Sequence, residues 1–268
     1  MFTPHALVLT GFGINCDLET ETAFRRAGAN AERVHLNDLI ADPAALGESN
    51  ILAVPGGFSF GDDVASGRIF ANRLRYKLGD ALKEFVDEGN LVIGICNGFQ
   101  VIAKMGLLPY RDGELAQEVT LTHNDSGQFG NRWICLKKEP NTVCVWLDGV
   151  DLIEMPVRNG EGKFIPRDNA LLRDLERRGQ VALRYVKPGG ASARGEFPDN
   201  PNGSVGDIAG ICDPSGRVFG LMPHPEAHQF PTNHPRWTRE GLAEEGAGLA
   251  VFTSAVRYLK AQAAIVAK

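Results

Sequence analysis

The chain has 268 residues, of which 43% are hydrophobic and 23% charged, with a formal net charge of −5. It is long enough to bury a sizeable core, has no Lys/Arg block that would track a phosphate backbone, and has no apolar run near the roughly 18–20 residues a bilayer requires. These features argue against a nucleic-acid partner and against a membrane, and the Met1-Phe2-Thr3-Pro4-His5 start lacks the basic region of a secretory signal. The cysteines, Cys16, Cys96, Cys135, Cys144 and Cys212, are odd in number, widely spaced and without a C-x-x-C pair, the pattern of a reducing compartment such as the cytoplasm.

Ala6–Thr10 reads as an opening strand, Gly11–Asp17 as a turn, the following stretch to Gly28 as a helix, and Ala31–Leu36 as a second strand. This βαβ beginning predicts a parallel sheet. The turn Gly11-Phe12-Gly13-Ile14-Asn15-Cys16, with Asp38 downstream, is one glycine short of the dinucleotide fingerprint. Cys16 stands where the third glycine would permit close helix packing, so a nucleotide site is the lesser reading.

A third strand, Ile51–Val54, runs into Pro55-Gly56-Gly57-Phe58-Ser59-Phe60-Gly61-Asp62-Asp63, a loop whose backbone can approach a ligand closely. Asp62 and Asp63 are read as capping or solvated groups, since adjacent carboxylates rarely converge on one atom. Residues 64–88 are helical in pattern, with a break or junction expected at Gly79.

The strongest local signal follows. Residues 91–95 are an uninterrupted apolar run, whereas Phe99, Val101, Ile102 and Met105 recur at helical spacing up to Gly106. Cys96 sits where the period changes, framed by Gly94 and Gly98 as in a G-x-nucleophile-x-G elbow. A helix N-terminus is expected to favour the thiolate there. The plain alternative is a small buried hydrophobe. In an elbow of this type one oxyanion donor is the N–H after the nucleophile, here Asn97, and the other comes from an earlier strand-to-helix loop, here Gly56 or Gly57.

Past Gly106, Val119–Leu121, Trp133–Leu136 and Val143–Leu147 read as short antiparallel additions, Ala170–Arg178 as a helix, Val181–Val186 as a strand and residues 187–206 as loop. Ile208–Cys212 and Val218–Met222 form a predicted hairpin ending in Pro223-His224-Pro225-Glu226, and Gly248–Gln262 a terminal helix. A thiol nucleophile needs a base and the base needs an orienting group, roles that His224 and Glu226 fill if the hairpin returns beside Cys96. His224, Glu226, His228 and His234 as metal ligands is the lesser reading, because Pro225 and Pro231 break the helix such a site requires, so no metal is expected. His5, His35 and His123 are read as ordinary satisfied residues, and the cysteines other than Cys96 as structural.

With Gly94-x-Cys96-x-Gly98-x-Gln100 and His224-Pro225-Glu226 in place, the chain resembles the class I, or triad, glutamine amidotransferases. Asn15-Cys16-Asp17, Pro55 to Asp62, Asn124 through Arg132-Trp133 and Met222 to Glu226 make it similar, more narrowly, to the glutaminase subunits of phosphoribosylformylglycinamidine synthases. The resemblance implies one flavodoxin-like α/β domain over residues 1–268. Its central sheet would be mostly parallel, with helices on both faces and antiparallel additions in the C-terminal half. It also implies glutamine hydrolysis through Cys96, His224 and Glu226, an oxyanion hole at Gly57 and Asn97, and a glutamine pocket lined or supported by Gln100, Asn124, Phe129 and Arg132.

By the same resemblance, ammonia would pass to a large synthetase subunit that uses ATP and Mg2+ in purine biosynthesis, with a small accessory subunit in the complex. The chain itself has no G-x-x-x-x-G-K-[ST] loop and needs no cofactor on this reading. It departs from the family in Arg158-Asn159-Gly160-Glu161-Gly162, where His-Gly-Glu-Gly is usual, and in extra length around 187–206 and 227–246, which could alter docking to the synthetase. Two other readings remain open at this level: a triad hydrolase serving another acceptor, and a nucleotide-binding module using Gly11 and Gly13.

Overall fold

The computed structural model describes residues 2–241 and 243–266. In chain order the elements are β1 (His5–Thr10), α1 (Asp17–Arg26), β2 (Asn30–His35), α2 (Leu36–Ala41), β3 (Ile51–Val54), α3 (Arg68–Asp87), β4 (Leu91–Ile95) and α4 (Asn97–Met105). The second half adds β5 (Val119–Thr122), β6 (Gly130–Lys138), β7 (Leu152–Asn159), β8 (Lys163–Pro166), α5 (Asn169–Arg177), β9 (Val181–Val186), β10 (Ile208–Cys212), β11 (Val218–Leu221) and α6 (Leu249–Val266).

One nine-stranded sheet, in the order β2-β1-β3-β4-β11-β10-β9-β6-β7, runs through the molecule. Pairings from β2 across to β11 are parallel, and those from β11 to β7 antiparallel. The β1-to-β2 and β3-to-β4 connections step in opposite directions, so right-handed crossovers place α1 on one face and α3 on the other. Accordingly α1 packs with α6, and α3 with α4. β3 and β4 are buried along their whole length, as strands covered on both faces must be.

The structure differs from the sequence expectations in instructive places. Val143–Leu147 is no strand: Val145–Leu147 is a 3-10 turn that drives Trp146 into the core, where its Nε1 donates to the Arg217 carbonyl at 2.9 Å and its ring meets Phe24 edge-on at 6.4 Å. An apolar run of that length fits a buried plug as well as a strand. α3 continues through Gly79, which is buried against Leu115, so this glycine serves packing and not a break. The second strand stops at His35, whose Nδ1 accepts from the Asn37 N–H and caps α2. β7 and β8 escape the sequence reading because Pro156 interrupts one and Gly160 and Gly162 immediately precede the other.

Residues 187–206 are loop, as expected, but not a free one. Their Asn202 is 1% exposed and reaches into the interior. The 227–246 segment, of which Leu242 lies outside the described residues, folds onto α1: Gln229 donates to the Glu19 carbonyl and accepts from Arg26.

Candidate active site

The parallel half of the sheet ends its strands at one edge, and the catalytic candidates collect there. β4 delivers Cys96 and β11, its parallel neighbour, runs on through Met222 and Pro223 to His224. Cys96 has φ 52° and ψ −106°, a conformation worth on the order of 1–3 kcal/mol of strain and seen where a side chain must be presented at a sharp turn. A Cβ on Gly98 would overlap the Val54 carbonyl oxygen, so the elbow can lie this close to β3 only with glycine there. The expected strand-to-helix elbow is therefore present, with Cys96 5% exposed.

His224 and Glu226 are each 2% exposed, and His224 Nδ1 lies 2.6 Å from Glu226 Oε1. Burial alone would hold the imidazole pKa down. The charge of Glu226 and that at the Cys96 sulfur outweigh it and push the pKa well above the usual histidine value. His224 Nε2 and Glu226 Oε2 are buried without a hydrogen-bond partner.

The two proposed oxyanion donors are also uncommitted. Ile14 and Gly57 face each other as a non-hydrogen-bonded antiparallel pair, flanked by Phe58 N–H to Gly13 O and Asn15 N–H to Gly56 O. The Gly57 N–H therefore points away from the 11–16 turn. Asn97 opens α4, where first-turn N–H groups have no helical acceptor. Gly57 has φ +154°, and a Cβ there would stand 2.6 Å from the Gly13 carbonyl oxygen. The Gly11–Cys16 turn thus buttresses this loop.

Asp62 fixes the loop from behind. The Asn97 side chain accepts from the Ser59 N–H at 3.1 Å and donates to Asp62 at 3.2 Å and Gln100 at 2.9 Å, while Asp62 also accepts from Ser66 and the Gly67 N–H. Burial raises the Asp62 pKa. Its role here is structural, as expected for this loop carboxylate.

A cavity of about 150 Å³ joins these groups, lined by Asn15, Cys16, Gly57, Phe58, Cys96, Phe129, Asn131, Arg158 and His224. A space of this size admits one amino-acid side chain. The Phe58 and Phe129 rings stand 6.3 Å apart at its rim.

Of the expected pocket residues, Phe129 alone lines this cavity. Gln100 and Asn124 brace it instead: Gln100 donates to the Glu161 carbonyl at 2.6 Å, and Asn124 ties Gln128, Asn159 and Gly162 together. Arg132 is a correction. Its guanidinium lies over Phe197, 4.3 Å from the ring centre, and the cavity is lined by its neighbour Asn131. Asn131 pairs directly with Arg158 across β6 and β7, so both side chains take one face and Arg132 takes the other. Sequence reasoning missed Arg158 and Asn131, and only the β6/β7 register would have revealed them.

Cys16, read as structural from sequence, is a second thiol at the site. Its Sγ lies within 4.8 Å of a His224 ring nitrogen and a Glu226 carboxylate oxygen. Burial raises its pKa. His228 and His234 go elsewhere: His228 Nδ1 meets the Glu154 carbonyl and His234 Nε2 the Glu154 carboxylate, both at 2.9 Å.

Asn159 stands where the resembling family usually has histidine. Its Oδ1 accepts from Asn202 Nδ2 at 2.7 Å, and the same Asn202 amide reaches Asn124 Oδ1 at 2.7 Å. The 187–206 loop therefore supplies the partner that holds this altered segment in place.

Residues 3–259 match the CobB/CobQ-like glutamine amidotransferase domain. The chain belongs to the glutamine amidotransferase family. It is 45% identical to the phosphoribosylformylglycinamidine synthase subunit PurQ of Dehalococcoides mccartyi, over 95% of this chain and 97% of that one. It is 42% identical to the PurQ subunit of Methanococcus maripaludis, over 87% and 86% of the two chains. A solved chain described as the structure of PurLQS from Thermotoga maritima superposes with a TM-score of 0.69 at 30% identity, covering 96% of this chain and all of that one. A solved glutamine amidotransferase from Thermotoga maritima, 15% identical with a TM-score of 0.52 over 99% of this chain and 96% of that one, shares the fold.

Proposed function

We propose that this chain is the glutamine-hydrolysing subunit of a phosphoribosylformylglycinamidine synthase. The observation that carries the reading is the convergence on one small cavity of a strained cysteine elbow, His224 with Glu226 behind it, and the Gly57 backbone, with Asn97 next to the elbow at the start of α4. Cys96 Sγ attacks the side-chain amide carbon of glutamine, and the Gly57 and Asn97 N–H groups hold the oxygen as it gains charge. His224 gives its proton to the departing nitrogen, ammonia leaves, and a γ-glutamyl thioester remains on Cys96. His224 then takes a proton from water, hydroxide attacks the thioester carbonyl, and glutamate departs as the sulfur is released. Glu226 holds the ring with Nδ1 protonated so that Nε2 faces the chemistry. Asn131 and Arg158 would receive the polar end of the substrate.

The unit of function is a single domain over residues 1–268. It needs no cofactor or metal of its own, and the ammonia goes to a large synthetase subunit that consumes ATP with Mg2+, with a small accessory subunit completing the complex. The PurQ names of relatives that match nearly end to end support this choice of acceptor. Five free cysteines agree with a cytoplasmic location, and no helix among the described residues is long and apolar enough to cross a membrane.

Co-purification from the native cell tests the assignment. Recovery with an ATP-dependent synthetase, and glutamine-dependent conversion of formylglycinamide ribonucleotide to its amidine by the mixture, is the expected result. Recovery with a different synthase and no amidine formation would overturn it.

A further inference from the structure

We propose that Asn202 is a positioning residue for substrate binding, on the reading that the cavity receives glutamine. It acts through Asn124 on the two chain segments that carry Phe129 and Arg158 to the cavity. Asn202 itself is 1% exposed and does not line that space. Its influence therefore has to pass through the groups it holds.

The backbone fixes how these amides are turned. Asn124 Oδ1 accepts from the Gly162 N–H at 3.0 Å, and its Nδ2 donates to the carbonyls of Gln128 at 3.0 Å and Asn159 at 2.9 Å. A backbone N–H only donates and a backbone carbonyl only accepts, so the Asn124 amide has one orientation. Its oxygen needs a donor from Asn202, whose Nδ2 gives one hydrogen to Asn124 Oδ1 and the other to Asn159 Oδ1, each at 2.7 Å. Asn202 Oδ1 is left to accept from the Tyr185 hydroxyl at 2.9 Å. Tyr185 belongs to β9 and is fully buried, and burial raises the phenol pKa and keeps the proton in place. The bonds thus run one way from the sheet to the cavity wall, and such a network holds its members in a single arrangement. Gln128 directly precedes Phe129, and Asn159 directly follows Arg158, so one amide clamps the neighbours of two cavity-lining residues.

The reacting groups are held by other means. Cys96 follows β4, His224 and Glu226 follow β11, and their mutual bond makes no use of the asparagines. The Arg158 carbonyl does approach the nucleophile, 3.7 Å from the Cys96 sulfur, but the β6–β7 ladder holds that residue opposite Asn131. Loss of the Asn202 amide therefore loosens the walls that grip the substrate and leaves the thiol and its base in place.

The test measures kcat and KM for glutamine hydrolysis in the assembled complex, together with the glutamine concentration that half-protects Cys96 from iodoacetamide. Asn202→Ala should raise KM and the half-protecting concentration by about tenfold or more, with kcat changed by less than about threefold. The alkylation rate without glutamine should stay within about twofold, since the thiol keeps its surroundings. Tyr185→Phe removes one bond at nearly constant volume and should shift KM in the same direction by less, which keeps the test decisive if Asn202→Ala fails to fold. Gln180→Ala is the structural control. It deletes a buried amide that donates to the Pro109 and Cys212 carbonyls, at the end of β10 away from Cys96, and should lower thermal stability without moving KM. An unchanged KM in folded Asn202→Ala and Tyr185→Phe, a fall in kcat at constant KM, or an equal rise in KM in Gln180→Ala would overturn the proposal. Failure of glutamine to protect Cys96 in the parent chain would instead overturn the glutamine reading, and this role with it.

Discussion

Two clusters of histidine, glutamate and cysteine lie beyond β11 and against β7, built from neighbouring stretches of the same chain, and they are chemically unlike. Around Glu154 every strong acceptor is used: Arg236 and His234 meet Oε2, Cys135 meets Oε1, and Arg236 also binds Glu240. Although burial opposes it, this bonding holds the Glu154 pKa below the ordinary glutamate range, and burial lowers the pKa of His228. Around His224, by contrast, Nε2 and Glu226 Oε2 have no partner, and a strained cysteine and the Gly57 backbone line the same cavity. Residue type does not separate a structural knot from a reactive site. Unspent hydrogen-bonding capacity beside a cavity does.

The largest effects should therefore fall on the His224 cluster. Cys96→Ala or His224→Ala should abolish glutamine hydrolysis, a loss of about 10⁴-fold or more in kcat measured as ammonia release by the assembled complex. Gly57→Ala forces a Cβ against the Gly13 carbonyl and displaces one of the two proposed oxyanion donors, and should lower kcat by about 10²–10³ with a smaller change in KM.

Glu226→Gln removes the charge that keeps the His224 proton in place. The His224 NMR titration should then move down toward the ordinary value of about 6.5. Because the folded pKa of His224 is raised, its contribution to stability is full below the unfolded value and is lost as pH rises through the folded one. Thermal stability of the parent should accordingly decline through that higher window, and Glu226→Gln should flatten the decline.

Glu154→Ala probes the other cluster. It leaves His234 without its carboxylate acceptor and Arg236 with Glu240 alone, and should cost about 1–3 kcal/mol in denaturant unfolding, with kcat changed by no more than about twofold. Arg132→Ala should have the smallest effect. It removes a cation–π contact worth about 0.5–1 kcal/mol and leaves KM for glutamine unaltered, because Arg132 faces Phe197 and not the cavity.

Much of the His224 cluster was readable in the sequence because its geometry is local. A change from strand to helix period at Cys96, glycines two residues to either side and a hairpin ending in His-Pro-Glu are each short-range features with one physical meaning. The parallel half of the sheet followed for the same reason. What was not readable depends on register and long-range packing. A single-residue step along β6 separates Asn131, at the cavity, from Arg132, on the opposite face, and nothing within β6 fixes which is which until β7 is paired. Cys16 looked structural because its position beside His224 is set by the Gly56 carbonyl, which accepts its N–H at 3.2 Å, a contact across the fold. The departure from the family at Asn159 had no local explanation in the sequence, because the group that holds its Oδ1 is Asn202, 43 residues further along the chain.

Everything at the site turns on Cys96, and not its neighbour Cys16, being the nucleophile. Mass spectrometric mapping of the complex after treatment with an electrophilic glutamine analogue distinguishes the two thiols. A single adduct is expected on the peptide carrying Cys96, prevented by excess glutamine and absent in Cys96→Ala. Modification of Cys16 in preference to Cys96, or glutamine-protected labelling that persists in Cys96→Ala, would contradict that assignment.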